Sequence, residues 1–273
     1  MYSPADPFAT AMLITGHEVG WIGGEGAALA MQDGVDEVVE LDGALVTPCF
    51  VDAHATGEPA AGVGLALVEG PAPDHREPGP LRASLQGRTF IRCDGPAETS
   101  NALAGVIDRP ASGVLLELAG DVAAESLAAL AALGAVVIVQ PDGPNPPPLA
   151  ALAAAGVPLA FGSRGGAGPW RQVAAAMTHP DPAQRMSARA AFAAHTRGGW
   201  RAAGEQSGGA LVPGAPAHYA IWQVGDLVVQ APDERIQAWS TDPRSGTPGL
   251  PDLSPDAEMP TCLRTVVWGR QIG

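Results

Sequence analysis

Lysine is absent from this 273-residue chain, so all 15 basic residues are arginine, set against 29 acidic ones. The formal net charge of −14 argues against nucleic acid or anionic lipid as a partner, since binding to either begins with a basic patch. Cysteine is scarce: three residues, odd in number and widely spaced, make no disulfide framework, and no CxxC pair suggests a zinc site. No apolar run approaches the ~20 residues of a membrane span, and the opening MYSPADPFAT lacks the basic and apolar pattern of a signal segment. A soluble, cytoplasmic protein is expected.

What is present is a chain 46% hydrophobic, long enough to bury a sizeable core. Short apolar runs at 12–15 and 38–41, separated by glycine-rich turns, predict small antiparallel strands in the first 48 residues. A strand follows at 50–54. From 58 to 86 glycine, proline and charge dominate, with PAPDHREPGP at the centre, and predict an exposed loop. Regular order resumes with strands at 89–92, 114–118, 135–140 and 157–161. Helices alternate with them at 96–107, 122–133 (capped by Asp121 and stopped by Gly134), 147–155 and 170–178. Buried strands alternating with helices predict right-handed βαβ units on a parallel sheet.

The segment LVTPCFVDAHAT, residues 45–56, places His54 and Thr56 one residue apart, so that both side chains leave the same face of a strand. Together with AMLITGHEVGWIGGEG before it, and with VPLAFGSRGGAGPW, SARAAFAAHTRGGWRAAG, GGALVPGAPAHYAIWQ and TCLRTVVWGRQIG after it, this segment resembles the amidohydrolase superfamily. These segments occur in the family's order over most of the chain, and the branch is similar to N-acyl amino acid deacylases. The resemblance implies a metal-dependent hydrolase on a (β/α)8 barrel with a small β-sandwich beside it. The expected domains are a composite sandwich from 1–48 and 206–273 and a reduced barrel over 49–205. Roughly five βα units are expected instead of eight, because three more would need on the order of 90 residues and the 58–86 segment is shorter. The fold class expected is therefore α/β, an incomplete TIM-type barrel, whose open sheet edges call for a covering loop or a homodimer.

The resemblance also implies where metal ligands stand. The first strand should carry two histidines, but has His54 and Thr56. The fifth should end in histidine, and FIRCDGPAE has Arg92. The sixth should end in glutamate then histidine, and VLLELAG has Glu117 and Leu118. The eighth should end in the aspartate that takes a proton from water, and Arg164 follows Gly162 and Ser163. A carboxylated lysine bridge is chemically unavailable; Cys49, Cys93 and Glu58 are nominal substitutes. Guanidinium stays protonated, has no lone pair to give and repels a cation. Without metal, water keeps a pKa near ~15.7 and the nucleophile is lost.

The leading expectation is a degenerate, non-catalytic pseudoenzyme with a binding or assembly role and no cofactor. The alternative is a metal-dependent hydrolase of C–N bonds in amides or cyclic imides, with zinc or another divalent metal. A third class is metal-free chemistry that pairs His54 with Ser163 or Cys93. Arg92, Arg164 and Ser163 form a candidate site for a small anion, unless Asp94 or Glu117 fills the pocket as an ion pair. The loop GSRGGAG, 162–168, lacks the spacing of a nucleotide fingerprint. His54 alone reads as a relic of the ligand set or a hydrogen-bonding core histidine rather than a ligand, and His195 as packing or capping. His17, His75, His179 and His218 show no metal-ligand spacing. Trp21, Trp200, Trp222 and Trp268 read as core or interdomain packing.

Overall fold

The computed structural model describes residues 1–69, 80–165, 167–230, 239–240 and 248–272. In chain order its elements begin β1 Ala11–Thr15, β2 Glu18–Gly23, α1 Glu25–Met31, β3 Leu45–Pro48, β4 Phe50–Asp52, β5 Val63–Val68, β6 Leu81–Ser84 and β7 Thr89–Cys93. Next come α2 Pro96–Val106, β8 Val114–Leu118, α3 Ala124–Leu133, β9 Val136–Val139, α4 Leu149–Ala154, β10 Leu159–Phe161, α5 Pro169–Met177, α6 Ala188–Ala193 and α7 Gly199–Ala203. The chain ends with β11 Tyr219–Gln223, β12 Leu227–Gln230, β13 Trp239–Ser240, β14 Leu250–Pro251, β15 Thr261–Val267 and β16 Arg270–Gln271. Two compact units result: Met1–Cys49 with Ala210–Gly273, and Phe50–Gly209.

The first unit is antiparallel. The hairpin β1-β2 turns at Gly16, whose φ of 61° suits glycine. The sheet β16-β15-β11-β3 joins both chain ends, with Trp222 buried and its indole N–H donating to Thr47 Oγ1 at 2.9 Å. Val19, Val46, Leu211 and Ile221 form a core here. The strand expected at 38–41 is absent. VVEL is flanked by acidic residues, finds no partner strand, and leaves Val38 and Val39 half exposed. A helix, α1, occupies a region expected to hold strands only. Trp268, expected in core or interdomain packing, is not a core residue: it is 44% exposed on the turn between β15 and β16.

The second unit is parallel α/β. One sheet runs β10-β9-β8-β7 and another β4-β5-β6, all pairings parallel. Backbone bonds from Ala53 N to Phe161 O and from Arg164 N to His54 O, both 2.9 Å, tie the end of β4 to the end of β10. The described residues thus hold seven parallel strands where five were expected. The correction falls in the expected 58–86 loop, which contains β5 and β6; residues 70–79 lie outside the described residues. VGLALV forms β5 because it is buried on both faces, and a short apolar run needs no alternation there. The helix at 122–133 starts two residues later than expected, without an Asp121 cap, and ends on left-handed Gly134 (φ 66°).

Helix packing around β4 and β10 depends on close approach. The ring of Phe50 meets Trp170, Phe192 and His195 edge-on at 5.0, 5.3 and 5.0 Å. A π-helical turn, Ala194–Gly198, passes so near β10 that a Cβ on Gly198 would lie 2.0 Å from the Leu159 carbonyl oxygen. Arg88 donates to the last carbonyls of α7, at Ala202 and, at 2.7 Å, Ala203. Among the described residues no helix is long and apolar enough to cross a membrane.

Candidate functional site

Strand periodicity builds the site. Leu67, Phe90, Leu115 and Ile138 belong to one apolar cluster. Two residues further along each strand stand Glu69, Arg92, Glu117 and Gln140. Because side chains repeat every second residue, the apolar core is capped at the strand C-terminal ends by a polar layer.

Glu117 is the hub, its side chain only 6% exposed. Parallel pairing sets it directly beside Arg92, whose Nε donates to Oε2 at 2.7 Å. Oε1 lies 2.9 Å from His54 Nδ1 and 3.9 Å from Arg164 Nε. His54 is fully buried, with the Phe90 ring edge-on at 5.1 Å. Its Nε2 lies 3.0 Å from Glu69 Oε1. That distance is short, but Nε2 makes no hydrogen bond there. Burial pushes the Glu117 carboxyl up, yet the hydrogen bonds from His54 and Arg92 outweigh it and hold the group below the ordinary carboxylate range. The same bond to Glu117 raises Arg92 further above neutrality.

A second carboxylate, Asp52, organises the loop after β10. Its Oδ1 accepts from Ser163 N at 2.8 Å and His54 N at 3.2 Å, and its Oδ2 accepts from Ser163 Oγ. Gly162 packs closely here: a Cβ would sit 3.0 Å from His54 backbone nitrogen and Cβ, so His54 would have to give way slightly. Arg164 is held at φ 48°, uncommon for a side-chain-bearing residue, by its N–H bond to His54 O.

The expected positions separate accordingly. His54, Arg92 and Arg164 converge on Glu117, the ion pair considered above. Leu118 is buried with its side chain on the opposite face from Glu117, as alternation requires. Thr56 is exposed, and a Cβ on Gly165 would lie 3.2 Å from its Oγ1. Ser163 spends its donors on Asp52 and has no imidazole among its described partners. Cys93 is buried, and burial and then Glu98 push its thiol up to about 11, which leaves negligible thiolate at neutrality. Neither residue therefore supplies an activated nucleophile beside His54. Cys49 donates to Val266 O, and Glu58 pairs with Arg82 at 2.7 Å. His195 is buried with Nδ1 3.0 Å from Val51 O; burial chiefly lowers it to about 4, so the ring is neutral.

A divalent ion needs neutral imidazoles and carboxylates with free lone pairs. Here the Glu117 oxygens face guanidinium groups, and two cationic side chains share the space. Among the described residues no three His, Cys, Asp or Glu side chains converge as a metal site. The donor set does not fit a metal in this arrangement.

Residues 95–272, more than half of the chain, match the amidohydrolase family. Similar solved structures include atrazine chlorohydrolase TrzN from Arthrobacter aurescens TC1 complexed with zinc, at TM-score 0.64 and 14% identity over 95% of this chain and 89% of that one. An adenosine deaminase from Xanthomonas campestris with bound zinc gives 0.61 and 11% over 95% and 87%. An amidohydrolase from an environmental sample of the Sargasso Sea gives 0.56 and 15% over 96% and 86%. At these identities the likeness concerns the fold alone. No curated protein matches the sequence.

Proposed function

The chain belongs to the amidohydrolase family, and from that premise we propose that it is a non-catalytic member with a binding or assembly role. The observation that carries this reading is the closed charge set at the strand ends, in which Glu117 is bonded to His54 and Arg92 and approached by Arg164. Family chemistry needs an activated water. In this reading the cationic charge that would activate it is replaced by guanidinium, which can orient an anion but cannot coordinate hydroxide.

Elemental analysis of the protein purified without chelator tests the reading. The expected result is zinc, iron and manganese far below one ion per chain, with no hydrolysis of N-acyl amino acids or cyclic imides. Stoichiometric metal together with amide hydrolysis overturns it in favour of a metal-dependent hydrolase of C–N bonds, the reading that family membership alone supports. That second reading requires Arg92 and Arg164 to leave Glu117. Assembly belongs to the proposal through self-association over the outer edges of β6 and β7. The expected mass in light scattering is twice that of one chain, and a single-chain mass at cellular concentration removes this part.

A further inference from the structure

We propose that Arg92 and Arg164 form a receptor for one small oxyanion, a carboxylate or phosphate group, at the ends of β7 and β10. This rests on the preceding reading, in which no metal occupies the Glu117 site.

Three observations carry it. First, both arginines turn the same edge inward: Nε of Arg92 bonds Glu117, and Nε of Arg164 approaches the same carboxylate. A guanidinium has five N–H donors in a rigid fork; Arg92 is hydrogen-bonded at Nε and Arg164 approaches at 3.9 Å, so the terminal nitrogens of both are left for a second partner, and among the described residues neither side chain has one. Second, the two side chains are 36% and 40% exposed while Glu117 is 6% exposed. The pair is thus rooted in the interior and open at its tips. Third, the site is preorganised. Arg164 sits in the left-handed region on a loop fixed by Arg164 N to His54 O, by Gly162 against His54, and by Ser163 on Asp52. A fork carried on a fixed backbone loses less freedom on binding than one on a mobile loop.

Charge sets the ligand class. Glu117 is one buried carboxylate between two guanidinium groups and meets both at their Nε edges, which leaves their outer edges for one more negative group. Glu69, 61% exposed beside His54, contributes attraction to Arg92, as does Asp94. These carboxylates oppose a large polyanion, so the receptor suits a single small oxyanion, bound on the order of millimolar. Ser163, a candidate for the same role by sequence, is committed to Asp52 and is not part of it.

The experiment titrates inorganic phosphate and acetate against chloride at matched ionic strength, with melting temperature and two-dimensional NMR of arginine side chains as readouts. Metal content is measured on the same preparation. Phosphate or acetate, but not chloride, is expected to raise the melting temperature and shift Arg92 and Arg164 resonances. Arg164→Gln, which leaves the Arg92–Glu117–His54 bonds in place, is expected to weaken binding at least tenfold. Arg82→Gln, which removes the pair with Glu58, is expected to leave it unchanged. Equal responses to all three salts in metal-free protein, or an undiminished response in Arg164→Gln, overturn the receptor alone. A stoichiometric metal overturns the non-catalytic reading beneath it.

Discussion

Glu117→Ala is expected to destabilise the second unit by about 3 kcal/mol, the low end of what removing one partner of a buried ion pair costs. The low end applies because Arg92 is 36% exposed and water partly replaces the lost carboxylate. His54 has no such relief. It is fully buried and loses the acceptor at Nδ1. For a chain of this size the loss lowers the melting temperature by roughly 6–12 °C, which calorimetry reads directly. Glu117→Gln keeps the volume and one acceptor oxygen and is expected to cost about half as much.

The pH dependence gives the same residue a second signature. In the fold, hydrogen bonds from His54 and Arg92 more than offset burial and hold the carboxyl below its ordinary value of 4.5. A depressed folded pKa means that folding favours the ionised form. The stabilisation is complete above the ordinary value and drains away as pH falls through the lower folded one. Urea denaturation at a series of pH values is therefore expected to show wild-type stability falling below about pH 4.5, with a shallower fall in Glu117→Ala. Equal slopes would show that Glu117 is not the group responsible.

Arg92→His combined with Arg164→Asp is expected to create a zinc site, where the proposed function expects the wild type to bind no zinc. The double replacement removes two cationic groups and supplies an imidazole and a carboxylate beside His54 and Glu117. A pair of unit charges ~4 Å apart interacts with about 4 kcal/mol at an effective dielectric of ~20. Relieving repulsion from two guanidinium groups toward a dication therefore raises zinc affinity by roughly a thousandfold or more. Competition with a chromogenic chelator measures it, and circular dichroism confirms that the variant remains folded. The single replacements are expected to fall between, since either remaining arginine still opposes the ion.

Much of this site is written in the strands that carry it. A glutamate inside the apolar run VLLEL, and an arginine ending TFIR, stand two residues past core positions. Their neighbouring strands are adjacent in sequence, so the Arg92–Glu117 pair is a local consequence of βα succession. Glu69 was not legible, because β5 is a six-residue apolar strand embedded in glycine and proline, and composition over a longer window reads as loop. The same averaging hid β6. Asp52 with Ser163 could not be read either: the two are 111 positions apart and meet only because the end of β4 lies beside the end of β10. The left-handed backbone at Arg164 depends on that same junction. Conversely, VVEL at 38–41 has strand propensity but no partner, and pairing, not propensity, decides whether a strand forms.

The central claim is that two guanidinium groups stand where the family's sequence pattern expects metal ligands, and that they exclude the ion. Crystals grown with excess zinc and measured at the zinc absorption edge address it most directly. The account predicts no anomalous peak within bonding distance of His54, with Arg92 still on Glu117. A fully occupied zinc bound to His54, with both arginines swung away, would contradict it.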